Sequence, residues 1–297
     1  MGREISYQQL QENKEQFVHP CGGNGSCYKC RVQFLQGAPA ANKIECQIFS
    51  EKEIADGWRL ECQSKIESDA LLFVPENTLL VPDTSLNIEE SNSLASSPSH
   101  MEYGIAIDLG TTMVAVSLIE LASGDSIFLN GFVNPQIAFG ADVINRIKAS
   151  NEGKAKELQN QITKAVTEAV KACEKKILQY QTEKIKWIVL SGNTTMIHLF
   201  LGLSTKQLGI YPFTPVTLKE QEIIFAEHPM FVMPGISAFV GGDIVSDLFY
   251  IQMKKQKKQQ FLLIDLGTNG EMALFTKAGI YTASVAAGPA LEAGNIT

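Results

Sequence analysis

The chain contains the same short motif twice. Residues 107–112 read IDLGTT and residues 264–269 read IDLGTN, and in both places one apolar run precedes the motif and another follows it. An apolar run, a Gly-Thr turn and a second apolar run predict a β-hairpin. Because a motif repeated at long spacing indicates a duplicated structural unit, the sequence predicts two related α/β lobes that each contain such a hairpin.

A Gly-Thr turn between two strands is suited to hold a phosphate group. Glycine permits the sharp turn, backbone amides and threonine hydroxyls donate hydrogen bonds, and the aspartate can hold a hydrated Mg²⁺. One copy is a weak signal, and two copies between strands are a much stronger one. The alternative is that both segments are ordinary strand turns. The residues predicted to form the two phosphate-binding loops are Asp108, Gly110, Thr111 and Thr112 in the first hairpin and Asp265, Gly267, Thr268 and Asn269 in the second.

Two acidic residues near these motifs are candidates for catalysis. Asp243 follows two glycines at the start of a predicted helix. This segment resembles the connecting helix of the sugar kinase, Hsp70 and actin superfamily, and the resemblance implies that Asp243 could orient an attacking water or a Mg²⁺-bound water. An acidic residue at that position is also a common helix cap. Glu271 follows the second turn and could reach the same Mg²⁺.

The cysteines are concentrated near the start of the chain. Cys21, Cys27 and Cys30 have the spacing C-x5-C-x2-C, and the glycines between the first two let a loop wrap closely around a metal centre. Two irons with bridging sulfides need four thiolates, of which one loop can supply three. This pattern predicts a [2Fe-2S] cluster, with a zinc site or free structural thiols as the alternatives.

The fourth cluster ligand is either Cys46 or Cys62. The segment WRLECQSKI around Cys62 alternates like a strand and can return to the loop, whereas Cys46 precedes a predicted helix cap at Ser50. The sequence therefore favours Cys62. The sixth cysteine, Cys173, lies on the apolar face of a helix predicted over 154–180 and is expected to pack in the core.

The segment CGGNGSCYKC, followed by RLECQ, resembles the ferredoxin-type domain of the reductive activators of corrinoid proteins. Four further segments are similar to signatures of that family: NPQIAFGADV from Asn134, GNTTM from Gly192, FVGGD from Phe239 and AGPALEAGNI from Ala287. The twin hairpins likewise resemble the sugar kinase, Hsp70 and actin superfamily, in which a nucleotide lies between two similar lobes.

The resemblance implies a function. An electron would pass from the iron–sulfur domain to the cobalt of a corrinoid protein in a methyltransferase system, driven by ATP with Mg²⁺ in an actin-like domain. An external low-potential donor would supply the electron. Whether the chain forms a homodimer is left open by the sequence.

The expected fold is α/β and α+β with several domains. A small ferredoxin-like iron–sulfur domain at 1–82 is followed by a linker at 83–100, rich in Ser, Asn and Pro. A ribonuclease-H-like, actin-type ATPase lobe is expected at 101–260, and the start of a second, truncated lobe at 261–297, so the chain is interpreted as a fragment. The residues before Cys21 leave room for one helix and little more.

Composition excludes some partners. The net charge of −7 favours neither nucleic acid nor an acidic membrane surface, and no apolar run approaches the roughly 20 residues of a membrane helix. The polar N-terminal segment has no apolar signal core, which predicts a cytoplasmic protein.

A second hypothesis comes from another functional class. If the second lobe is incomplete, the chain is a non-catalytic iron–sulfur electron-transfer or sensory protein with a vestigial nucleotide site. A third, a carbohydrate kinase with a redox switch, lacks a recognisable sugar-contacting segment.

Overall fold

The computed structural model describes residues 2–12, 16–17, 25, 28–75, 80–81, 102–178, 185–254 and 260–286. Cys21, Cys27, the predicted linker and the segment AGPALEAGNI lie outside the described residues. The chain is a mixed α/β protein that divides into two compact units, Met1–Thr84 with Gln136–Ala141 and Ser85–Pro135 with Asp142–Thr297.

The first unit is built on a four-stranded sheet with strand order β1-β5-β3-β4 and antiparallel pairing throughout. Leu10 on the first helix packs with Val32, Phe34 and Leu72 from the sheet to form a small core. The elements of this unit are β1 Arg3–Ser6, α1 Tyr7–Glu12, β2 Gln16–Phe17, β3 Arg31–Gln36, α2 Glu45–Ile48, α3 Glu51–Ala55, β4 Trp58–Leu60, β5 Leu71–Val74 and β6 Leu80–Val81.

Three local features of this unit bear on the sequence predictions. The residues before Cys21 were expected to form one helix and little more, but they also contain the strand β1. Arg3 of this strand pairs with Val74, and no local sequence pattern predicts that pairing. Ser50 caps α3 in a capping box with Glu53, which confirms the predicted helix start. The strand expected around Cys62 ends at Leu60, and Cys62 lies in a 3₁₀ turn instead.

The second unit contains a six-stranded sheet in the order β11-β12-β10-β7-β8-β9. β7, β8 and β9 form an antiparallel meander, while β10 runs parallel to both β7 and β12. The strands are β7 Tyr103–Leu109, β8 Met113–Glu120, β9 Ser126–Val133, β10 Ile185–Gly192, β11 Gln221–Phe225 and β12 His228–Val232.

Helices pack beside this sheet. The longest is α5, which covers 155–178 of the helix predicted over 154–180 and buries one apolar stripe that includes Cys173. Each aliphatic side chain buried in such a stripe contributes about 1.5–3 kcal/mol. The helices are α4 Val143–Ala149, α5 Ala155–Leu178, α6 Thr194–Leu201 and α7 Gly242–Lys254, with a 3₁₀ turn at Lys206–Gly209 and a π turn at Ser150–Lys154. A further 3₁₀ turn, Pro135–Phe139, lies almost wholly in the segment that belongs to the first unit.

A three-stranded antiparallel sheet completes the second unit: β13 Phe261–Leu266, β14 Asn269–Thr276 and β15 Gly279–Ala286. Ile244 and Leu248 of α7 pack against Ala273 on one face of this sheet. Both hairpins expected from the repeated motif are therefore confirmed, as β7–β8 and β13–β14. No helix among the described residues is long and apolar enough to cross a membrane.

Candidate functional site

The first phosphate-loop candidate, the turn 110–112, lies at the end of the parallel strands β7 and β10. Leu109 pairs with Gly192, so the turn after β7 and the start of α6 meet at one edge of the sheet. Asn193 joins them. Its Oδ1 accepts a hydrogen bond from the Met196 amide at 3.0 Å and caps the helix, while its Nδ2 donates to Thr111 Oγ1 at 2.9 Å.

Backbone contacts fix the shape of this turn. A Cβ on Gly110 would lie 2.3 Å from the carbonyl oxygen of Met113, so only glycine fits there. Asn134 supports the turn through two hydrogen bonds of 2.8 Å, in which its Nδ2 donates to the Gly110 carbonyl and its backbone amide donates to the Thr112 carbonyl. The segments NPQIAFGADV and GNTTM thus both support the turn, through Asn134 and Asn193.

Arg146 also holds the turn, and sequence reasoning missed it. This arginine on α4 is fully buried, its Nη2 donates to the Thr111 carbonyl at 2.5 Å, and its Nη1 lies 3.1 Å from Met196 Sδ. Arginine is almost never fully buried unless its donors are used. The sequence signal that could have indicated this role is a single arginine within the mainly apolar stretch VINRI.

The second hairpin meets the first directly. Thr112 Oγ1 and Thr268 Oγ1 lie 2.9 Å apart, and both side chains are buried. In the second turn, the Gly267 amide donates to the Asn269 carbonyl at 2.9 Å. The structure therefore brings together the predicted residues of both turns.

Five carboxylates collect around the two hairpins. Four of them were predicted, and the fifth, Asp247, follows Asp243 by one helical turn, a spacing of four that places both on one face of α7. The side chain of Asp247 is exposed and that of Glu271 is buried. The full set is Asp108, Asp243, Asp247, Asp265 and Glu271.

These carboxylates disturb one another's ionisation. Asp108 keeps access to solvent, but the surrounding protein removes much of its hydration, and this desolvation with the charges of Asp265 and Asp247 raises its pKa to about 6. Burial, followed by the nearby aspartates, raises the pKa of Asp243 to about 6 even though its carboxylate accepts a hydrogen bond from the Ile244 amide.

Glu271 is shifted furthest into the neutral range. Burial and the charges of Asp243 and Asp265 raise its pKa to about 7, against the opposing hydrogen bond from Asn269. Desolvation also raises the pKa values of Asp265 and Asp247.

A site with this charge distribution favours a divalent cation, because the cation relieves the repulsion among the carboxylates. Mg²⁺ in such sites keeps several waters and binds one or two carboxylates together with phosphate oxygens. Within the described part of the chain, no three His, Cys, Asp or Glu side chains are arranged to hold a metal ion by themselves. A cation here would accordingly depend on water and phosphate ligands.

The first unit brings two of the predicted cluster ligands together. Cys30 immediately precedes β3 and Cys62 follows the end of β4, and the register of Arg31 with Leu60 places both cysteines at the same end of this strand pair. Their Sγ atoms are 3.3 Å apart. The hydrogen bond between the thiols, and after it burial, raises the pKa of Cys30.

This thiol pair fits a shared metal. Two thiolates on one tetrahedral metal with bonds of about 2.3 Å lie about 3.8 Å apart, so the two sulfurs, at 3.3 Å, would need to separate by only about 0.5 Å to share one. Cys46 is exposed on α2. The other two predicted ligands, Cys21 and Cys27, are outside the described residues.

Comparisons with known proteins cover nearly the whole chain. A family model described as the RACo middle region matches residues 103–256, and one described as the C-terminal domain of RACo, the ASKHA domain, matches residues 259–297. The corrinoid activation enzyme RamQ of Eubacterium limosum is 31% identical over 93% of this chain and 57% of its own length. The F subunit of the Na⁺-translocating NADH-quinone reductase of Chlamydia felis is 37% identical over 20% of this chain and 14% of its own length.

One solved structure is also similar. The reductive activator for a corrinoid, iron-sulfur protein superimposes with a TM-score of 0.61 at 25% identity, covering 98% of this chain and 62% of that one. The chain thus spans less than two thirds of the length of RamQ and of this solved relative.

Proposed function

Because the chain belongs to the RACo family of reductive activators, we propose that it passes an electron to the cobalt of a corrinoid protein and uses ATP with Mg²⁺ to do so. A [2Fe-2S] cluster held by the cysteines would supply one electron for each cobalt(II) reduced to cobalt(I), and an external low-potential donor would replace that electron. The corrinoid protein is the proposed partner.

The cysteine pair is the observation that carries this proposal. Cys30 and Cys62 come from distant parts of the sequence and meet at one end of the β3–β4 pair with their sulfurs in contact. With Cys21 and Cys27 they would form the four-thiolate set of a ferredoxin-like domain at 1–82. A two-iron cluster held by such a set supplies a one-electron carrier of about −400 mV.

The nucleotide is proposed to bind between the two hairpins. Thr111, Thr112 and Thr268 would donate hydrogen bonds to phosphate oxygens, together with the turn amides of Gly110 and Asn269, while the Gly267 amide holds the shape of the second turn by donating to the Asn269 carbonyl. Asp108 and Asp265 would hold the waters of a bound Mg²⁺. Asp243 would orient the attacking water, and Glu271 would assist near the cation. The ASKHA description of the matched C-terminal model supports this assignment.

ATP is needed because the electron moves uphill. Reducing cobalt(II) to cobalt(I) requires a lower potential than a plant-type cluster provides, so free energy must come from elsewhere. A nucleotide supplies it if it changes the affinity for the oxidised and reduced partner differently. Two lobes that close on a nucleotide are a suitable two-state element.

Reconstitution tests the proposal. The chain is purified without oxygen, its iron and sulfide are measured, and it is mixed with a low-potential reductant, ATP and a cobalt(II) corrinoid protein. We expect about two irons and two sulfides for each chain and the absorption spectrum of cobalt(I) only when ATP is present. A preparation without iron and sulfide, or spectra that do not depend on ATP, would contradict it.

A further inference from the structure

Glu45 is a buried carboxylate that the proposed reaction does not use. Its side chain is 1% exposed, although it lies on a helix of only four residues. Oε1 accepts hydrogen bonds from the Leu60 amide at 2.8 Å and from Ser64 Oγ at 3.3 Å, and Oε2 accepts one from the Asn42 amide at 2.9 Å. Three donors converge on this group, which is the arrangement that an ionised carboxylate, acceptor only, requires.

The partners of Glu45 surround the fourth cysteine. Leu60 precedes Cys62 by two residues and Ser64 follows it by two, so one carboxylate oxygen ties together both ends of the turn that carries Cys62. Asn42 reinforces this arrangement, because its Oδ1 accepts a hydrogen bond from the Glu45 amide at 3.0 Å. Glu45 therefore fixes the position of the Cys62 turn through hydrogen bonds at both of its ends.

The hydrogen bonds of Glu45 also set an upper limit on the distance between its carboxylate and Cys62. Two residues of chain span at most about 7 Å, so the carboxylate lies within roughly 10 Å of the Cys62 backbone. A buried charge at that distance is screened far less than an exposed one. Among the residues that the structure describes, none of the hydrogen-bond partners of Glu45 is a cation. The nearby buried Arg59 donates instead to the carbonyls of Pro39, Ile54 and Trp58.

We propose that Glu45 is a positioning residue that fixes the Cys62 turn and whose negative charge lowers the reduction potential of an iron–sulfur cluster bound there. This inference rests on the cluster of the proposed function. Adding an electron beside a fixed negative charge is unfavourable, so the charge makes the reduced protein a stronger donor. That is the property a chain needs when its acceptor is difficult to reduce.

The test is a redox titration of the full chain, followed by the electron paramagnetic resonance signal of the reduced protein. The variants are Glu45→Gln, which removes the charge and keeps the shape, and Glu45→Asp, which keeps the charge and shortens the side chain. Glu51→Gln is the matched control, because Glu51 is an exposed carboxylate at the start of the neighbouring helix α3.

We expect Glu45→Gln to raise the ratio of reduced to oxidised cluster about tenfold at a fixed applied potential, a positive shift of about 59 mV for one electron. Glu51→Gln should change this ratio less than twofold. Glu45→Asp should stay within about threefold of the unaltered chain while its melting temperature falls.

The outcomes separate the two proposals. Unaltered protein without iron and sulfide overturns the proposed function, and this inference with it. If the unaltered protein carries its cluster, an unchanged potential in Glu45→Gln, or an equal shift in Glu51→Gln, overturns this inference alone. If Glu45→Gln loses its iron, the result for Glu45→Asp is used instead. A tenfold change in the ratio of reduced to oxidised cluster, despite the retained charge, contradicts the electrostatic role. A ratio within threefold of that of the unaltered chain supports it.

Discussion

The hydroxyl oxygens of Thr112 and Thr268 lie 2.9 Å apart, one from each copy of the repeated hairpin. Their turns are separated by most of the second unit in sequence, yet the two side chains share one hydrogen bond in a buried position. The contact means that the two turns face the same space, so a phosphate group at this point would be within reach of both hydroxyls.

Replacing both hydroxyls should weaken nucleotide binding. A hydrogen bond to a charged group contributes about 1.5–3 kcal/mol, so the Thr112→Val/Thr268→Val double variant is expected to bind ATP with at least tenfold lower affinity in calorimetry. Thr163→Val is the control, since within the described part of the chain its hydroxyl donates only to carbonyls of α5. Equal affinity in the double variant and the control would show that these turns do not hold phosphate.

The local elements could be predicted because their signals are short in range. The hairpins follow from the repeated Gly-Thr turn, and α5 follows from apolar residues at steps of three and four. The pairing of β1 with β5 was not predictable, because Arg3 and Val74 meet only after the intervening chain has folded. The alternation around Cys62 was too short to tell a strand from the 3₁₀ turn that the structure contains.

The predicted site residues were those whose side chains mark a local motif. Arg146 was missed because its role depends on Thr111 and Met196, which lie in two other segments. Asp247 was missed because one more acidic residue on a helix usually faces solvent. Both roles depend on the folded chain, in which Arg146 donates to the turn after β7 and Asp247 lies near Asp108 and Asp265.

Arg146 should be required for the shape of the first turn. Arg146→Met keeps the apolar contacts of the side chain but leaves the Thr111 carbonyl without its guanidinium donor. Leaving a buried acceptor unpaired costs about 1–3 kcal/mol, so the free energy of unfolding should fall by about that amount in urea titrations. ATP affinity should fall as well.

Arg146→Lys tests the same role with the charge retained. A single ammonium cannot reproduce the two-point contact of a guanidinium with the Thr111 carbonyl and Met196 Sδ, so a partial loss of ATP affinity is expected. Lys148→Met on the same helix is the control, because Lys148 does not contact the turn through any hydrogen bond among the described residues. Full affinity in Arg146→Met would contradict the positioning role.

Cys62 and Cys46 should differ in their effect on iron content. Cys62→Ser removes a sulfur that touches Cys30 and is expected to reduce bound iron to less than a quarter, because four thiolates are needed. Cys46→Ser alters an exposed thiol on α2 and should leave the iron content unchanged. The reverse result would assign the fourth ligand to Cys46.

The carboxylates around the hairpins predict a pH-dependent stability with a definite sign. The folded pKa values of Asp108 and Asp243 are raised to about 6 and that of Glu271 to about 7, above the values near 4 of the unfolded chain. The folded state therefore binds more protons across this window. The stability that these groups contribute is fully present below about pH 4 and is lost as the pH rises through 6 to 7.

Mg²⁺ should reverse this loss, because the cation replaces the protons that relieve the repulsion. The rise in melting temperature on adding Mg²⁺ is expected to be larger at pH 8 than at pH 5.5, and ATP should enlarge it. In the Asp243→Asn/Glu271→Gln double variant, the melting temperature without Mg²⁺ should vary less with pH, and the response to Mg²⁺ should shrink. A Mg²⁺ effect that is equal at both pH values, and unchanged in the double variant, would show that the cation does not bind these carboxylates.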